Sequence, residues 1–331
     1  MVIPGAAGKP VRAYFFYSGD RFMMANNQNN SPSQKADETP AFCNYDQSDY
    51  QHVFWEEGHR QYEDESEAIA LKRLLPEQGN LLLEIGAGAG RNTLRYKGYE
   101  KIVLMDYALT QMQQAKAHLG NSPRFTYVAA DVYHLPFKSN AFDGATMIRV
   151  IHHLTDLDPA MAEIQRVMQQ NSVFILEYAN KRNIKAIFRW IAGKQSWNPF
   201  THEQVEFVKL NFDNHPAAIR KLLVNHGFRT QRVLSVSNLR VQSLKENESN
   251  LGWMLKVESV LQILLSPIPL SPSVFTKNIQ TENSGAFSGG SIFSCPACGC
   301  ENLTESPVSM TCPQCGKIFP IEDGIYNFRL D

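Results

Sequence analysis

The sequence predicts an α/β protein built on a mostly parallel sheet with helices on both faces, followed by a small cysteine-rich module. From Leu81 onward, short apolar runs alternate with helical stretches, and this spacing is typical of parallel strands joined by crossover helices. Near the C-terminus, four of the six cysteines form two pairs with two-residue spacers, a pattern typical of a structural metal site.

Composition limits the function classes. The 331 residues suffice for one large and one small domain, and 43% hydrophobic residues supply a substantial core. A net charge of -1 gives the whole chain no general attraction to nucleic acid or anionic membrane. We find no apolar run of about 18 residues and no signal-peptide pattern, so we expect no transmembrane segment and a cytoplasmic location.

The apolar runs assign the main strands. They predict a Rossmann-like, seven-stranded, mostly parallel sheet, with strands that include 81–86, 101–106, 125–130, 142–148, 172–178 and 228–236. Helices are predicted between them, including 109–119 and 158–168, with an apolar helix at 251–265. Right-handed crossovers then place the loops after the parallel strands at one edge, where ligands bind.

The first strand ends in a glycine-rich turn. Glu84 is followed by Gly86, Gly88 and Gly90, so the strand leads into a tight loop of exposed backbone. A dinucleotide-binding loop requires another glycine where Arg91 stands, so that class of ligand is excluded. The carboxylate of Glu84 would repel a phosphate and attract an amine.

Two further acids end the next two strands. Asp106 lies where a carboxylate can accept both hydroxyls of a ribose, and Asp131 ends the third strand. Three carboxylates around a glycine turn suit a ligand with an amine, a ribose diol and an adenine amino group. S-adenosylmethionine has all three groups and no phosphate.

These motifs resemble the class I S-adenosylmethionine-dependent methyltransferases, in particular the branch with quinone-biosynthesis and small-molecule enzymes. The resemblance covers roughly residues 65–180 and includes Leu135-Pro-Phe137, Phe142-Asp143 and Ile151-His-His-Leu154. It implies that the glycine turn holds the methionine part, Asp106 the ribose and Asp131 the adenine. The resemblance also implies that Tyr107 and Val132 flank the adenine.

The turn before the fifth predicted strand departs from the pattern of the family. The family often has a Pro-Gly-Gly turn there, and this chain has Met168-Gln-Gln-Asn-Ser172. Asn171 tolerates the left-handed conformation, so we expect the fold to keep this turn.

Catalytic residues are less defined, because methyl transfer demands a base only when the acceptor must lose a proton. His152 and His153 are candidate bases, although structural roles are favoured for both. Arg149 could bind an anionic acceptor or pair with a neighbouring acid. We expect Asp143 to hold the start of its strand.

The chain divides into four predicted regions. Residues 1–45 are expected to be a disordered tail, and residues 46–272 the methyltransferase domain, with a substrate-side insertion or lid at 182–226. Residues 273–292 are predicted to be a flexible linker, and 293–331 a four-cysteine zinc ribbon.

The predicted zinc ligands are Cys295, Cys298, Cys312 and Cys315, with Cys300 as a spare thiol. Four thiolates close the coordination of the metal, which indicates a structural site. The Phe319–Ile325 segment is similar to zinc-ribbon activator subunits of tRNA, rRNA and release-factor methyltransferases. Five acids against two basic residues make the module a poor phosphate clamp, so it suits contact with protein, including its own methyltransferase domain.

Residues 181–194 form a basic amphipathic segment with several cations and no acid. Three interpretations stay open: a lid over the substrate pocket, which is favoured, a membrane-surface contact, or a nucleic-acid contact.

The sequence therefore predicts a methyltransferase that acts on a small or lipid-like molecule. One alternative is a methyltransferase that acts on RNA or a translation protein, with the ribbon as recognition or activator module. The other is a non-catalytic scaffold that binds the cofactor and recruits a partner. The sequence identifies no acceptor atom.

Overall fold

The computed structural model describes residues 60–245 and 248–330 of the protein. The predicted N-terminal tail therefore lies outside the described residues. The first half of the described chain contains the elements α1 Gln61–Leu74, β1 Gly79–Ile85, β2 Tyr99–Asp106, α2 Leu109–Leu119, β3 Phe125–Ala129, β4 Phe142–Met147, α3 Leu157–Val167 and β5 Met168–Ala179.

The second half begins with the region after β5 and ends in the cysteine module. It contains α4 Ile184–Ile191, β6 Val205–Val208, β7 Asn211–Asp213, α5 Pro216–Asn225, β8 Phe228–Val236, α6 Gln242–Lys245, α7 Leu251–Leu264, β9 Ser273–Gln280, β10 Thr304–Glu305, β11 Ser309–Thr311, β12 Ile318–Glu322 and β13 Ile325–Asn327.

One continuous sheet organises the molecule, in the order β10-β11-β12-β13-β3-β2-β1-β4-β5-β9-β8. Neighbouring strands from β3 to β5 are parallel, whereas β9 runs antiparallel between β5 and β8. The predicted Rossmann-like α/β fold is therefore confirmed. The strand count was too low: seven strands belong to the methyltransferase domain, and four strands of the C-terminal module raise the total to 11.

The central strands are apolar along their length because both faces are covered. On one face, Met147 and Phe174 pack with Ile164 of α3. On the other face, Leu82 packs with Leu71 of α1 and Met112 of α2. Parallel sheets are typically buried in this way, which explains why continuous apolar runs, rather than alternating patterns, predicted these strands.

The residues of the predicted turn, Met168-Gln-Gln-Asn-Ser172, form the first part of β5 rather than a turn before it. Asn171 has a φ of 63°, in the left-handed region that asparagine tolerates better than most residues. The pairing of β5 with β4 is irregular along this stretch, between the pairs Phe142–Met168 and Gly144–Val173.

The predicted linker, in contrast, begins too early. Ser273–Gln280 form β9, which lies between β5 and β8 with Val274 and Phe275 fully buried. The amides of Asn278 and Gln280 are also buried, and Asn278 donates to the carbonyl of Phe174. The polar residues of β9 and the proline-rich stretch before it are typical of a loop, so the sequence did not indicate this strand. In the structure β9 is stabilised by pairing with both β5 and β8.

The predicted insertion at 182–226 also includes a core element. Helix α5 packs on the sheet through Ile219 and Leu223, beside Phe228 of β8. The segment that departs from the α/β alternation is therefore α4 and the β6–β7 hairpin.

The cysteine module continues the sheet of the domain. Strand β13 pairs in parallel with β3, and the amide of Phe328 donates to the carbonyl of Ala129 at 2.8 Å. A second connection joins Phe293 to Phe137 as an isolated bridge. None of the helices in the described residues has the length and apolarity needed to cross a membrane.

Candidate functional site

The glycine turn after β1 brings bare backbone to the carboxyl edge of the sheet. Gly86, Gly88 and Gly90 have φ values of 68°, 54° and 80°, where residues with a Cβ are strained. A Cβ at Gly86 would lie 2.1 Å from Cγ2 of Val150. Glycine is therefore required at Gly86 for both conformation and space.

The three predicted carboxylates surround this turn. Glu84 is 4% exposed and accepts a hydrogen bond from Oγ1 of Thr93 at 2.6 Å. Burial raises the pKa of Glu84 to about 7, because desolvation disfavours the charged form. Asp106 accepts from the amides of Gly88 and Ala108 at 3.0 Å each, so its carboxylate is fixed between two loops.

The third carboxylate, Asp131, is held by its own loop. It accepts a hydrogen bond from the amide of Tyr133 at 2.9 Å, and burial raises its pKa above the usual range. His134 lies 3.6 Å from the same carboxylate. Asp131 thus presents an acceptor at the end of β3.

One cavity joins most of the predicted cofactor residues. Seven of the eight line it: Glu84, Gly86, Gly88, Asp106, Tyr107, Asp131 and Val132. Gly90 does not, and a Cβ there would lie 2.7 Å from Leu119. Gly90 therefore serves close packing of the turn against α2.

Gln111, which sequence reasoning missed, also lines this cavity. Its side-chain Nε2 is buried and has no hydrogen-bond partner among residues 60–245 and 248–330. Buried polar atoms in native proteins are almost always paired, so an unpaired donor on a cavity wall indicates a ligand atom. Gln111 lies in the first turn of α2, and the sequence offered no signal beyond that position.

A buried ion network closes the side of the cavity. Glu67 of α1 is fully buried, with one oxygen 2.7 Å from Nη2 of Arg91 and the other 2.7 Å from Nε of Arg149. The two guanidinium groups lower the pKa of Glu67 despite its burial. Arg149 is thus paired with an acid, which was one of its two predicted roles. Glu67 itself gave no sequence signal, because an acid in an amphipathic helix is ordinary.

The two candidate histidines differ in position. His153 lines the cavity, and its Nδ1 lies 3.2 Å from the carbonyl oxygen of Leu210. Burial lowers the pKa of His153 to about 4, so the ring is neutral and carries its proton on Nδ1, since a carbonyl can only accept. His152 is outside the lining, with its ring centre 4.1 Å from that of His153.

Asp143 was predicted to hold the start of its own strand, β4, but it bonds instead to the start of the neighbouring strand, β1. Its carboxylate accepts from the amides of Asn80 and Leu81, at 2.7 Å and 2.8 Å. It therefore connects β4 to the beginning of β1 and lies outside the cavity lining.

The four paired cysteines form one cluster. The sulfur atoms of Cys295, Cys298, Cys312 and Cys315 all lie within 4.8 Å of one another. Two of the S–S distances are 3.6 Å, close to the roughly 3.8 Å edge of a tetrahedron with metal–sulfur bonds of about 2.3 Å. The group could hold a metal ion.

The two cysteine pairs have the same backbone. The amide of Gly299 donates to the carbonyl of Cys295, and that of Gly316 to the carbonyl of Cys312. Cys300 lies outside the cluster and contributes its carbonyl, which accepts from the amide of Cys295. Its thiol is therefore the spare one among these five.

Comparison with known proteins supports this assignment of the fold. Residues 83–176 match the methyltransferase domain family. This part of the chain is therefore a methyltransferase domain. This match extends from β1 to β5 and includes the glycine turn and all three carboxylates.

Several curated methyltransferases are similar to this chain. It is 29% identical over 138 residues to the O-methyltransferase cnsE of Penicillium expansum, which covers 38% of this chain and 50% of that protein. It is 26% identical over 150 residues to a 2-phytyl-1,4-naphtoquinone methyltransferase of Nostoc sp., covering 42% and 61%. It is 29% identical over 135 residues to a demethylmenaquinone methyltransferase of Thermobifida fusca, covering 37% and 57%. The chain therefore spans less than two thirds of the length of these relatives.

A solved structure shares the fold. It is a chain from the complex between the Haloferax volcanii Trm112 methyltransferase activator and a candidate methyltransferase. The match has a TM-score of 0.50 at 14% identity and covers 70% of this chain and 96% of that one.

Proposed function

We propose that the protein transfers a methyl group from S-adenosylmethionine to a small or lipid-like acceptor. The observation that carries this proposal is the convergence of Glu84, Asp106 and Asp131 around the glycine turn in one cavity. The unpaired amide nitrogen of Gln111 on the wall of the same cavity supports a bound polar ligand.

Each side chain has a role that follows from its position. Glu84 is proposed to meet the amine of the methionine part, Asp106 the ribose hydroxyls, and Asp131 the adenine amino group. Tyr107 and Val132, on opposite loops of the lining, would then contact the adenine faces. S-adenosylmethionine supplies an electrophilic methyl group, so transfer depends mainly on alignment of the acceptor.

Two residues on the wall are proposed to act on the acceptor side. His153 is neutral at physiological pH, and the contact of its Nδ1 with Leu210 orients its ring. With a pKa of about 4 the ring is a weak base, so its proposed role is to contact the acceptor rather than to remove a proton. Arg149, bound to Glu67, is proposed to position the wall rather than to bind an anion.

The acceptor class rests on the relatives and on the insertion. Quinone methyltransferases are among the similar proteins, and α4, in the same insertion as Leu210 at the cavity wall, carries exposed apolar side chains. Transfer of label from tritiated cofactor into fractionated extract tests this proposal. We expect label in small molecules or lipids, and label in RNA or protein alone would refute it.

We further propose that the four cysteines bind zinc as a structural ion. Tetrahedral thiolate coordination is typical of Zn²⁺, and a module of this size could hardly fold without it. Metal analysis of the purified protein should give one zinc per chain. A value near zero in a folded protein would refute the proposal.

The zinc ribbon is also proposed to support the adenine side of the cavity within one chain. It contacts both ends of the 129–138 segment, which contains Asp131. At one end the amide of Phe328 donates to the carbonyl of Ala129 at 2.8 Å, and near the other the amide of Ser294 donates to the carbonyl of Pro136 at 3.0 Å. The ribbon thus occupies the edge of the sheet beside the cofactor loop.

A methyltransferase that acts on RNA or a translation protein is the second candidate. Its support is the ribbon, since a Trm112 activator is part of the structure described above. The extract-labelling experiment separates the two candidates by the fraction that receives label. The acidic surface of the ribbon favours a protein acceptor over RNA within this alternative.

A further inference from the structure

Helix α4 presents its largest apolar side chains to solvent. Only Ala186 of this helix is buried, whereas Phe188 is 65% exposed and Ile191 is 69% exposed. The ring of Trp190 contacts that of Phe200 with a centroid distance of 5.7 Å, and both residues are exposed. We call this set the α4 surface: Ile184, Phe188, Trp190, Ile191 and Phe200.

The charge around the α4 surface has one sign. The sequence has no acidic residue between Glu177 and Glu203, but this stretch contains five cations: Lys181, Arg182, Lys185, Arg189 and Lys194. The Lys181 ammonium is used internally, because it donates to the carbonyls of Thr201 and Glu203 and joins the two ends of the segment. Lys194 is exposed beside Ile191. A cationic helix with an exposed apolar face is typical of segments that lie in a membrane interface.

Helix α7 adds a second exposed apolar stripe. Its buried side is polar, with Glu258 bonded to Asn238 and Gln262 bonded to the carbonyl of Ser66. The exposed side follows helical spacing and contains Trp253, Val257, Val260 and Leu264.

The two helices flank the same loop. Lys185 of α4 donates to the carbonyl of Arg240, and Glu258 of α7 accepts from the amide of Asn238. The amide of Ile184 donates to Leu270, two residues beyond the exposed Ile268. Both helices that contact this loop therefore carry exposed apolar side chains.

This part of the molecule adjoins the cavity. The α4 segment follows β5, and the amide of Lys181 bonds to Asn214 at the end of the β6–β7 hairpin. Leu210 of that hairpin contacts His153 in the cavity wall. A flat partner on the α4 surface would therefore lie beside the acceptor side of the cavity.

We propose that the α4 surface docks on a lipid bilayer that contains anionic lipids. Exposed Phe, Trp and Ile side chains gain free energy by leaving water, and the exposed Lys194, in a stretch of the sequence without acids, attracts negative headgroups. A nucleic acid would match the cations but would leave the aliphatic side chains exposed. A second copy of this chain would bring like charges together. The inference is independent of methyl transfer, because docking requires neither cofactor nor acceptor.

Co-sedimentation of the full zinc-loaded chain with vesicles tests this proposal. We compare vesicles of phosphatidylcholine alone with vesicles that contain phosphatidylglycerol, in low and high salt. The variant Phe188→Ser/Ile191→Ser removes two exposed side chains, so the fold is expected to persist. The matched control is Val308→Ser/Ile318→Ser in the ribbon, where the two residues are 69% and 67% exposed.

We expect binding to anionic vesicles that weakens in high salt, about tenfold lower partitioning for the α4 variant, and no change for the control. Lys194→Glu should weaken binding to anionic vesicles severalfold. Circular dichroism and the thermal shift with S-adenosylhomocysteine report whether each variant is folded.

Three results would overturn the inference. The first is no binding of the wild-type chain to anionic vesicles. The second is an equal loss of binding in the control variant. The third is a dimer in sedimentation velocity, or an RNA complex, that Phe188→Ser/Ile191→Ser disrupts while vesicle binding is unaffected.

Discussion

The guanidinium of Arg329, in the zinc ribbon, lies over the ring of Tyr107 at 5.7 Å from its centre. Tyr107 lines the cofactor cavity, so the C-terminal module contacts the wall of the cavity directly. This contact and the pairing of β13 with β3 connect the cysteine module to the side of the cavity proposed for adenine.

Loss of the metal should weaken cofactor binding. Cys312→Ser removes one of four clustered thiols, and the ribbon then loses the metal-binding free energy that folds it. We expect about tenfold weaker binding of S-adenosylhomocysteine by calorimetry, because the 129–138 segment loses its support. Cys300→Ser, outside the cluster, is the control and should leave zinc content and affinity unchanged. Equal affinity in the two variants would show that the ribbon and the cavity are independent.

The Arg329–Tyr107 contact should have a measurable effect of its own. A cation–π contact contributes about 0.5–1 kcal/mol. Arg329→Ala should therefore weaken binding of S-adenosylhomocysteine roughly two- to fivefold, with zinc retained. The control is Arg229→Ala at an exposed position of β8. An unchanged dissociation constant for Arg329→Ala would mean that Tyr107 keeps its position without the arginine.

Substitution of Asp106 should lower cofactor affinity, whereas substitution of Asp143 should lower thermal stability. Asp106→Ala removes a charged acceptor from the cavity, and we expect affinity for S-adenosylhomocysteine to fall about a hundredfold, since hydrogen bonds to a charge contribute about 1.5–3 kcal/mol. Asp143→Ala removes bonds to two backbone amides outside the cavity, so it should lower the melting temperature with little change in affinity. Retained binding in Asp106→Ala would place the ribose elsewhere.

Cofactor affinity should depend on the ionisation of Glu84. Burial raises the pKa of this carboxyl to about 7, and the ammonium of the ligand binds its charged form. Affinity for S-adenosylhomocysteine should therefore fall below pH 7, by up to about tenfold per pH unit, and level off above it. Calorimetry from about pH 5.5 to 7.5 measures the slope. Glu84→Gln should bind weakly with no slope, and an unchanged slope would assign the titration to another group.

Alanine variants of Gly86 and Gly193 should distinguish the effect of backbone strain from the effect of a steric clash. Gly86 and Gly193 both have positive φ, at 68° and 65°, but only at Gly86 would a Cβ meet Val150. Each alanine variant should lose about 1 kcal/mol in unfolding free energy for the backbone strain. Gly86→Ala should in addition abolish the thermal shift with S-adenosylhomocysteine, whereas Gly193→Ala should keep it. A normal shift in Gly86→Ala would mean that the turn tolerates the displacement of Val150.

The strands and the carboxylates could be predicted because their signals are local. Buried parallel strands produce continuous apolar runs, and Asp106 and Asp131 stand directly at the ends of such runs. The cysteine cluster was predictable for the same reason, since each pair is a short motif with fixed spacing.

Features that depend on distant contacts were missed. Glu67 is buried only because Arg91 and Arg149 reach it from later loops, and nothing near Glu67 in the sequence indicates this. Strand β9 resembles a polar loop until both of its neighbours pair with it. Contact of the ribbon with its own domain was one of the predicted options. The pairing of β13 with β3 depends on tertiary packing, and the spacing of the cysteines in the sequence does not indicate it.

The pairing of β13 with β3 also determines which strand lies at this edge of the sheet. Without the ribbon, β3 would be an outer strand with unpaired amides and carbonyls, which invite other chains to add strands and aggregate. The ribbon covers that strand and finishes the sheet with β10, which is two residues long. The cysteine module should therefore also protect the protein from self-association. A chain shortened before Phe293 would leave β3 as an exposed outer strand and would lose the cysteine cluster.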